Sequence, residues 1–146
     1  MLIRLLLVSL FFITTAHASH SQSYRPVQTQ TGPEEWTLQQ DFRVRINGYN
    51  VIIPTGFSYD GASAPLGWLI APMGGHYPTA ALLHDYFYSN LNDGTPHPAA
   101  PDRKDADRIF LQVMQQHQVK PLVRVFMWLA VRWFGGAAWI KELVVE

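Results

Sequence analysis

The chain has 146 residues, and its 11 Lys and Arg balance its 11 Asp and Glu, so the formal net charge is zero at pH 7 with neutral histidines. This balance provides no basic field for a nucleic acid, and we expect no nucleic-acid partner. The sequence contains no cysteine, which excludes disulfides and thiolate chemistry.

The first 18 residues have the pattern of a secretory signal peptide. Arg4 lies within a short apolar run, and small residues at 14–18 fit an A-x-A cleavage site. The run is shorter than the ~20 residues that span a bilayer, so a retained membrane anchor is the less favoured alternative. We therefore expect a periplasmic or secreted protein with no transmembrane span after cleavage. Removing 18 of 146 residues leaves 128, the size of one domain.

Residues 19–33 are polar and aperiodic, which predicts a flexible leader before a single globular domain at 34–146. From Trp36 onwards the apolar residues alternate with polar ones. The turn-forming pair Asn47-Gly48 lies between the two alternating segments, which predicts a β-hairpin. Residues 54–65 and 72–78 contain prolines and glycines, and we interpret them as ordered loops.

Three helices are predicted after the hairpin. Thr79 is a candidate cap for a helix over 80–89, and Asp102 is a candidate cap for a helix over 103–117. A third helix covers 122–134, after Pro121, and ends at Gly135-Gly136. The pattern as a whole predicts an α+β fold in which an N-terminal hairpin packs near three helices.

The third predicted helix is almost wholly apolar apart from Arg124 and Arg132. The favoured interpretation is a buried core helix whose arginines reach solvent. The alternative is an interfacial helix that seats Trp128 and Trp133 among lipid headgroups.

The dipeptide His84-Asp85 carries the most chemical information in the sequence. On a helix, His84 lies one turn before Tyr88, whereas Asp85 points about 100° away. A carboxylate such as Asp107 could hold the imidazole at one nitrogen, so that the other nitrogen takes a proton from water. The structural alternative is that these residues cap, pair or bridge elements, and that Asp107 pairs with Arg103 one turn back.

A hard cation could complete such a site. Calcium prefers oxygen ligands, and Asp85 follows a loop that contains Gly74 and Gly75. A calcium ion there would polarise an ester or phosphoryl oxygen. Zinc is less favoured because the other histidines lack ligand spacing. Further pocket candidates are Asp60, Gly61, Ser63 and Arg103, although Asp60 alone is more often a turn former.

Three sequence blocks resemble a family found in phages and bacterial prophages, which is known only as a domain of unknown function. The blocks are residues 53–65, residues 80–88, and Arg103 with Ala106-Asp107 and Phe110, and the likeness extends over about 36–136. This resemblance implies membership of the family but supplies no reaction.

A second, shorter resemblance is to secreted and bacterial phospholipases A2. Their His-Asp-x-x-Tyr signature is similar to His84, Asp85 and Tyr88, and their later aspartate is similar to Asp107. The resemblance implies that His84 activates water, that Asp85 binds calcium beside a glycine loop, and that Tyr88 and Asp107 fix the imidazole. The chain departs from these enzymes in its lack of disulfides and in a calcium loop with fewer glycines.

Two functions therefore remain open. The first is an exported hydrolase that cleaves a lipid or envelope ester, with His84, Asp107 and Tyr88 as catalytic residues. The second is a non-catalytic prophage-type protein that binds an envelope component and uses the same residues as a structural network. The HD-type phosphohydrolases rank last, because their all-helical layout conflicts with the hairpin.

Overall fold

The computed structural model describes residues 25–33, 35–60, 77–89 and 95–143, with side chains to residue 139. The predicted signal peptide and the loop residues Gly61, Ser63, Gly74 and Gly75 lie outside the described residues. The strands are β1 Gln28–Gln30, β2 Trp36–Leu38, β3 Phe42–Ile46, β4 Tyr49–Ile53 and β5 Ser58–Tyr59. The helices are α1 Pro78–Ser89, α2 Arg103–Gln116, α3 Pro121–Phe134 and α4 Gly136–Leu143. This order confirms the predicted α+β class.

The predicted hairpin is formed by β3 and β4. Phe42 pairs with Ile53 and Val44 with Val51, so one face of the ribbon is apolar and packs on the core. Asn47 and Gly48 both have positive φ, at 50° and 85°, as a tight two-residue turn requires. The turn is anchored because the Asn47 side chain donates to the carbonyl of Ala99 at 3.0 Å.

A second, three-stranded sheet has the order β1-β2-β5, with both pairings antiparallel. Residues 28–30, which the sequence analysis assigned to the leader, form the edge strand β1 instead. The side chains of an edge strand need little apolar character because its stability comes from backbone pairing. Polar composition alone therefore hid this strand.

Helix α1 is buried on almost every side, with its core formed by Ala81, Leu82, Leu83 and Phe87. It begins at Pro78, whose fixed φ suits the first helical position, so Thr79 lies inside the helix and is not its cap. By contrast, Asp102 caps α2 as predicted, because its side chain accepts the backbone N–H of Asp105 at 2.8 Å.

Helix α2 packs against α1, and α3 packs against α2. The buried face of α2 includes Ile109, Phe110 and Met114, and that of α3 includes Val123 and Met127. The prediction of a buried core helix is wrong for one side of α3, where Leu122 and Trp133 are exposed. Arg132 does not extend freely into solvent, because it donates to a buried carboxylate. No helix among the described residues is long and apolar enough to cross a membrane.

Gly135 is the C-cap of α3, which ends at Phe134 as the sequence predicted. Its φ of −70° is right-handed, and its N–H bonds to the Val131 carbonyl while its own carbonyl accepts the N–H of Trp139. The chain thus continues into α4, which was not predicted. The absence of a side chain at Gly135 serves packing, because a Cβ there would lie 2.7 Å from the Tyr88 hydroxyl.

Candidate functional site

The packing of α1 against α2 brings His84 to Asp107. His84 Nε2 lies 3.1 Å from Asp107 Oδ1, and the Tyr88 hydroxyl donates to the same oxygen at 2.6 Å. His84 and Tyr88 are one helical turn apart, so both reach the same point on α2. Their rings lie 4.1 Å apart between centroids, and Phe110 lies against the other side of the imidazole at 5.0 Å.

The second carboxylate oxygen of Asp107 faces the guanidinium groups of two arginines. Arg132 of α3 donates from Nη1 to Oδ2 at 2.7 Å, and Arg103 lies one turn before Asp107 with Nη1 at 3.6 Å from Oδ2. Arg103 also donates to the backbone carbonyls of Val131 and Arg132. Asp107 is fully buried, and a carboxylate in that position is stable only when it is paired. Three helices therefore converge on one carboxylate.

The hydrogen-bond partners of Asp107 keep its carboxylate ionised. Burial opposes its ionisation, but hydrogen bonds from His84, Tyr88 and Arg132 outweigh burial and hold the pKa of Asp107 below its ordinary 3.8. Burial and the neighbouring Asp107 carboxylate both raise the pKa of the Tyr88 hydroxyl, so the phenol keeps its proton and remains a hydrogen-bond donor. An ionised carboxylate only accepts hydrogen bonds. In the neutral form of His84, the imidazole proton therefore lies on Nε2.

The other imidazole nitrogen faces Asp85. His84 Nδ1 is 3.4 Å from Asp85 Oδ1, and the backbone N–H of Asp60 donates to Oδ2 at 3.3 Å. Both contacts are long, so neither oxygen is strongly bonded. Burial raises the pKa of Asp85, which the nearby Asp60 charge increases further. Burial also opposes protonation of His84, but its bonds to Asp107 and Asp85 raise its pKa above 6.5.

The structure thus brings together most of the residues singled out in the sequence. His84, Asp85, Tyr88, Arg103 and Asp107 form one continuous network, and the backbone of Asp60 joins it. In the described part of the chain, no group of three or more His, Cys, Asp or Glu side chains could hold a metal ion. Of the residues predicted to bind a metal, Asp85 lies in the described part of the chain, and its carboxylate is weakly bonded and largely buried.

Sequence reasoning missed Arg132 and the packing role of Gly135. Arg132 lies in an apolar helix, where a cation at a position close to the buried face indicates an internal acidic partner. The partner could not be identified because it is 25 residues away in sequence. Gly135 was correctly predicted to end the helix, but the sequence did not indicate that it also leaves room for the Tyr88 hydroxyl.

Comparison with known proteins supplies a family. A family model described as "Protein of unknown function (DUF1353)" matches residues 36–131. This chain belongs to the DUF1353 family. The DUF1353 match begins at the first residue of β2 and includes the His84 helix and Asp107. No curated protein and no solved structure gives a significant match to the chain.

Proposed function

We propose that this protein is an exported hydrolase in which His84 is the general base, acting on a lipid or cell-envelope ester. The main observation behind this proposal is that one oxygen of Asp107 accepts hydrogen bonds from both His84 Nε2 and the Tyr88 hydroxyl. This arrangement fixes the tautomer and orientation of the imidazole and leaves Nδ1 as the nitrogen that takes a proton from water. The likeness of His84, Asp85 and Tyr88 to the phospholipase A2 signature supports the same assignment.

Each residue then has a defined task. Asp107 stabilises the imidazolium that forms when His84 takes the proton, and Tyr88 positions the carboxylate. Arg132 and Arg103 hold Asp107 from its other side, so they position the dyad without touching substrate. Because the pKa of His84 is raised above 6.5, turnover should increase as the pH rises through this raised pKa and the free base forms.

Calcium is the cofactor that we propose for this site. Asp85 would hold it together with the backbone carbonyl oxygens of Gly74 and Gly75, the ligands that the sequence predicts. When bound, calcium supplies a Lewis acid for the oxygen of the ester. Asp85 fits this task because its burial beside Asp60 leaves a negative charge that a cation would offset.

The decisive experiment measures hydrolysis by pH-stat titration on micelles of a short-chain phosphatidylglycerol, with and without calcium. We expect turnover by the wild type and a loss of about 10²- to 10⁴-fold in His84→Gln, which removes the base and retains similar size. His117→Gln is the control, because His117 is exposed and distant in sequence. A wild-type chain without turnover on lipid or on small soluble esters contradicts the proposal.

Calcium binding is tested by melting temperature. A ligand that binds only the folded state raises the midpoint with concentration, so calcium should stabilise the wild type. Asp85→Asn should lose this increase. An increase in the wild type that is lost in the variant supports Asp85 as a ligand. If calcium changes the melting temperature of neither protein, the metal is excluded from the proposal.

A second candidate is a non-catalytic prophage-type protein that binds an envelope component. It is favoured by the two arginines on Asp107, because a fully paired carboxylate shared by three helices also suits a purely structural network. The two candidates differ in the behaviour of His84→Gln. A structural network predicts no turnover in the wild type, so the variant changes only the melting temperature, whereas a base predicts wild-type turnover that His84→Gln removes.

A further inference from the structure

One side of α3 carries large apolar side chains that face away from the core. Positions 122, 125, 126, 129 and 133 are three or four residues apart, so they form one continuous face. Leu122 and Trp133 are 74% and 72% exposed, and Val125 and Phe126 are 45% and 55% exposed. Leu129 is half-buried between them. We call these five residues the apolar ridge of α3.

The ridge is small. The exposed fractions of its four most accessible residues equal about two and a half large side chains, or on the order of 500 Å² at roughly 200 Å² each. A stable interface between two proteins buries about 800 Å² from each partner. The ridge alone is therefore too small for a stable dimer.

Positive charge surrounds the N-terminal end of the ridge. Helix α3 contains no acidic residue, Lys120 is exposed immediately before it, and Arg124 is half-exposed on its flank. Arg25 is exposed and lies close enough to act electrostatically on His117, three residues before Lys120. None of the ion pairs between described residues involves Arg25, Lys120 or Arg124. These cations are therefore available to an anionic partner.

We propose that the apolar ridge of α3 inserts into the headgroup region of an anionic lipid surface, with the helix axis parallel to the membrane. An interfacial helix of this kind buries its apolar face about 5–10 Å deep, and aromatic residues are favoured at that depth. Lys120 and Arg124 then lie at the level of the lipid phosphates. This proposal does not depend on hydrolysis, because it concerns a surface that holds none of the His84 network on its exposed side.

The test measures binding to vesicles by co-sedimentation, on the chain purified after export with its N terminus determined by mass spectrometry. Vesicles of phosphatidylcholine with phosphatidylglycerol are compared with vesicles of phosphatidylcholine alone. We expect Phe126→Ser/Trp133→Ser to bind at least about 30-fold more weakly than the wild type, since two large apolar side chains no longer enter the lipid. Lys120→Gln/Arg124→Gln should lose roughly 25-fold on the anionic vesicles and little on the neutral ones.

The matched control is Tyr49→Ser/Ile52→Ser on β4, which removes one exposed aromatic and one exposed aliphatic side chain elsewhere. It should bind within twofold of the wild type, and equal melting temperatures ensure that all variants are folded. Wild-type chain that does not bind, or a ridge variant that binds as well as the wild type, overturns the proposal. A lipid-free dimer in analytical ultracentrifugation that the ridge variant abolishes also overturns it, because a second copy then covers the ridge. Equal binding of the lysine–arginine variant to anionic vesicles overturns the anionic part.

Discussion

Arg132 Nη1 lies 2.7 Å from Asp107 Oδ2, and this contact ties the third helix to the carboxylate that also holds His84. The side chain of Asp107 has no exposed surface, whereas the side chain of Arg132 is 23% exposed to solvent. Removing one partner of such a pair leaves a buried charge without compensation, which costs more than the pair contributes. Arg132 is therefore a residue on which the geometry of the site and the stability of the fold depend together.

Arg132→Met should destabilise the protein by about 3 kcal/mol, because Asp107 keeps only the more distant guanidinium of Arg103 at that oxygen. Chemical denaturation followed by circular dichroism measures the loss. Arg124→Met is the control on the same helix, since the side-chain contact of Arg124 is a 3.4 Å bond to the Val119 carbonyl. The control should lose less than about 1 kcal/mol. Equal losses in the two variants contradict the role assigned to the Asp107 pair.

Tyr88→Phe should cost about 1.5–3 kcal/mol, because it removes a hydroxyl that donates to a buried charged acceptor while the ring packing remains. Tyr86→Phe removes a hydroxyl from the same helix, and the Tyr86 hydroxyl donates to no described residue. It should cost less than about 1 kcal/mol. The difference between the two variants in equilibrium unfolding is the measurement. A Tyr86 variant that loses as much as the Tyr88 variant shows that the Asp107 bond is not the cause.

Gly135→Ala should destabilise by about 1–3 kcal/mol, because its Cβ would lie 2.5 Å from the Val131 carbonyl oxygen and 2.7 Å from the Tyr88 hydroxyl. Relief of this clash requires a shift of Tyr88, of the backbone near Val131, or of both. At Gly136 a Cβ meets nothing within 4 Å, so Gly136→Ala should be neutral or slightly stabilising. The melting temperatures of the two variants measure this difference in stability. If Gly135→Ala is as stable as Gly136→Ala, the close approach of Tyr88 does not constrain residue 135.

The stability of the protein should decline on the alkaline side as His84 loses its proton. The folded pKa of His84 is raised above 6.5, so its contribution is complete below pH 6.5 and is lost as the pH rises through the folded value. The folded pKa of Asp107 is lowered from 3.8, so its contribution is present above pH 3.8 and is lost as the pH falls through the lower folded value. Unfolding free energies against pH should therefore fall at both ends.

His84→Gln isolates the alkaline limb of this profile. The variant has no imidazole to titrate at this position, so its stability should change less than that of the wild type as the pH rises above 6.5. His97→Gln and His117→Gln are suitable controls, because burial lowers the pKa of both histidines and their titration has the opposite sign. An alkaline decline of the same size in His84→Gln assigns the titration to another group.

The sequence alone determined those features that depend on neighbours along the chain. The hairpin followed from alternating apolar residues around Asn47-Gly48, and α2 followed from its cap Asp102 and its apolar period. His84, Tyr88 and Asp107 could be singled out because their residue types and helical spacing are chemically suited to one another. The DUF1353 family model confirmed that the region from Trp36 belongs to a recognisable family.

Tertiary structure decided the features that depend on contacts between distant segments. Strand β1 is polar and gains its pairing from the backbone of β2, which composition does not record. Arg132 faces inward because Asp107 on another helix compensates its charge, and Gly135 is required by a tyrosine 47 residues earlier in the chain. A buried charge and a missing Cβ take their meaning from what lies opposite them in space, and only the packed fold specifies that neighbour.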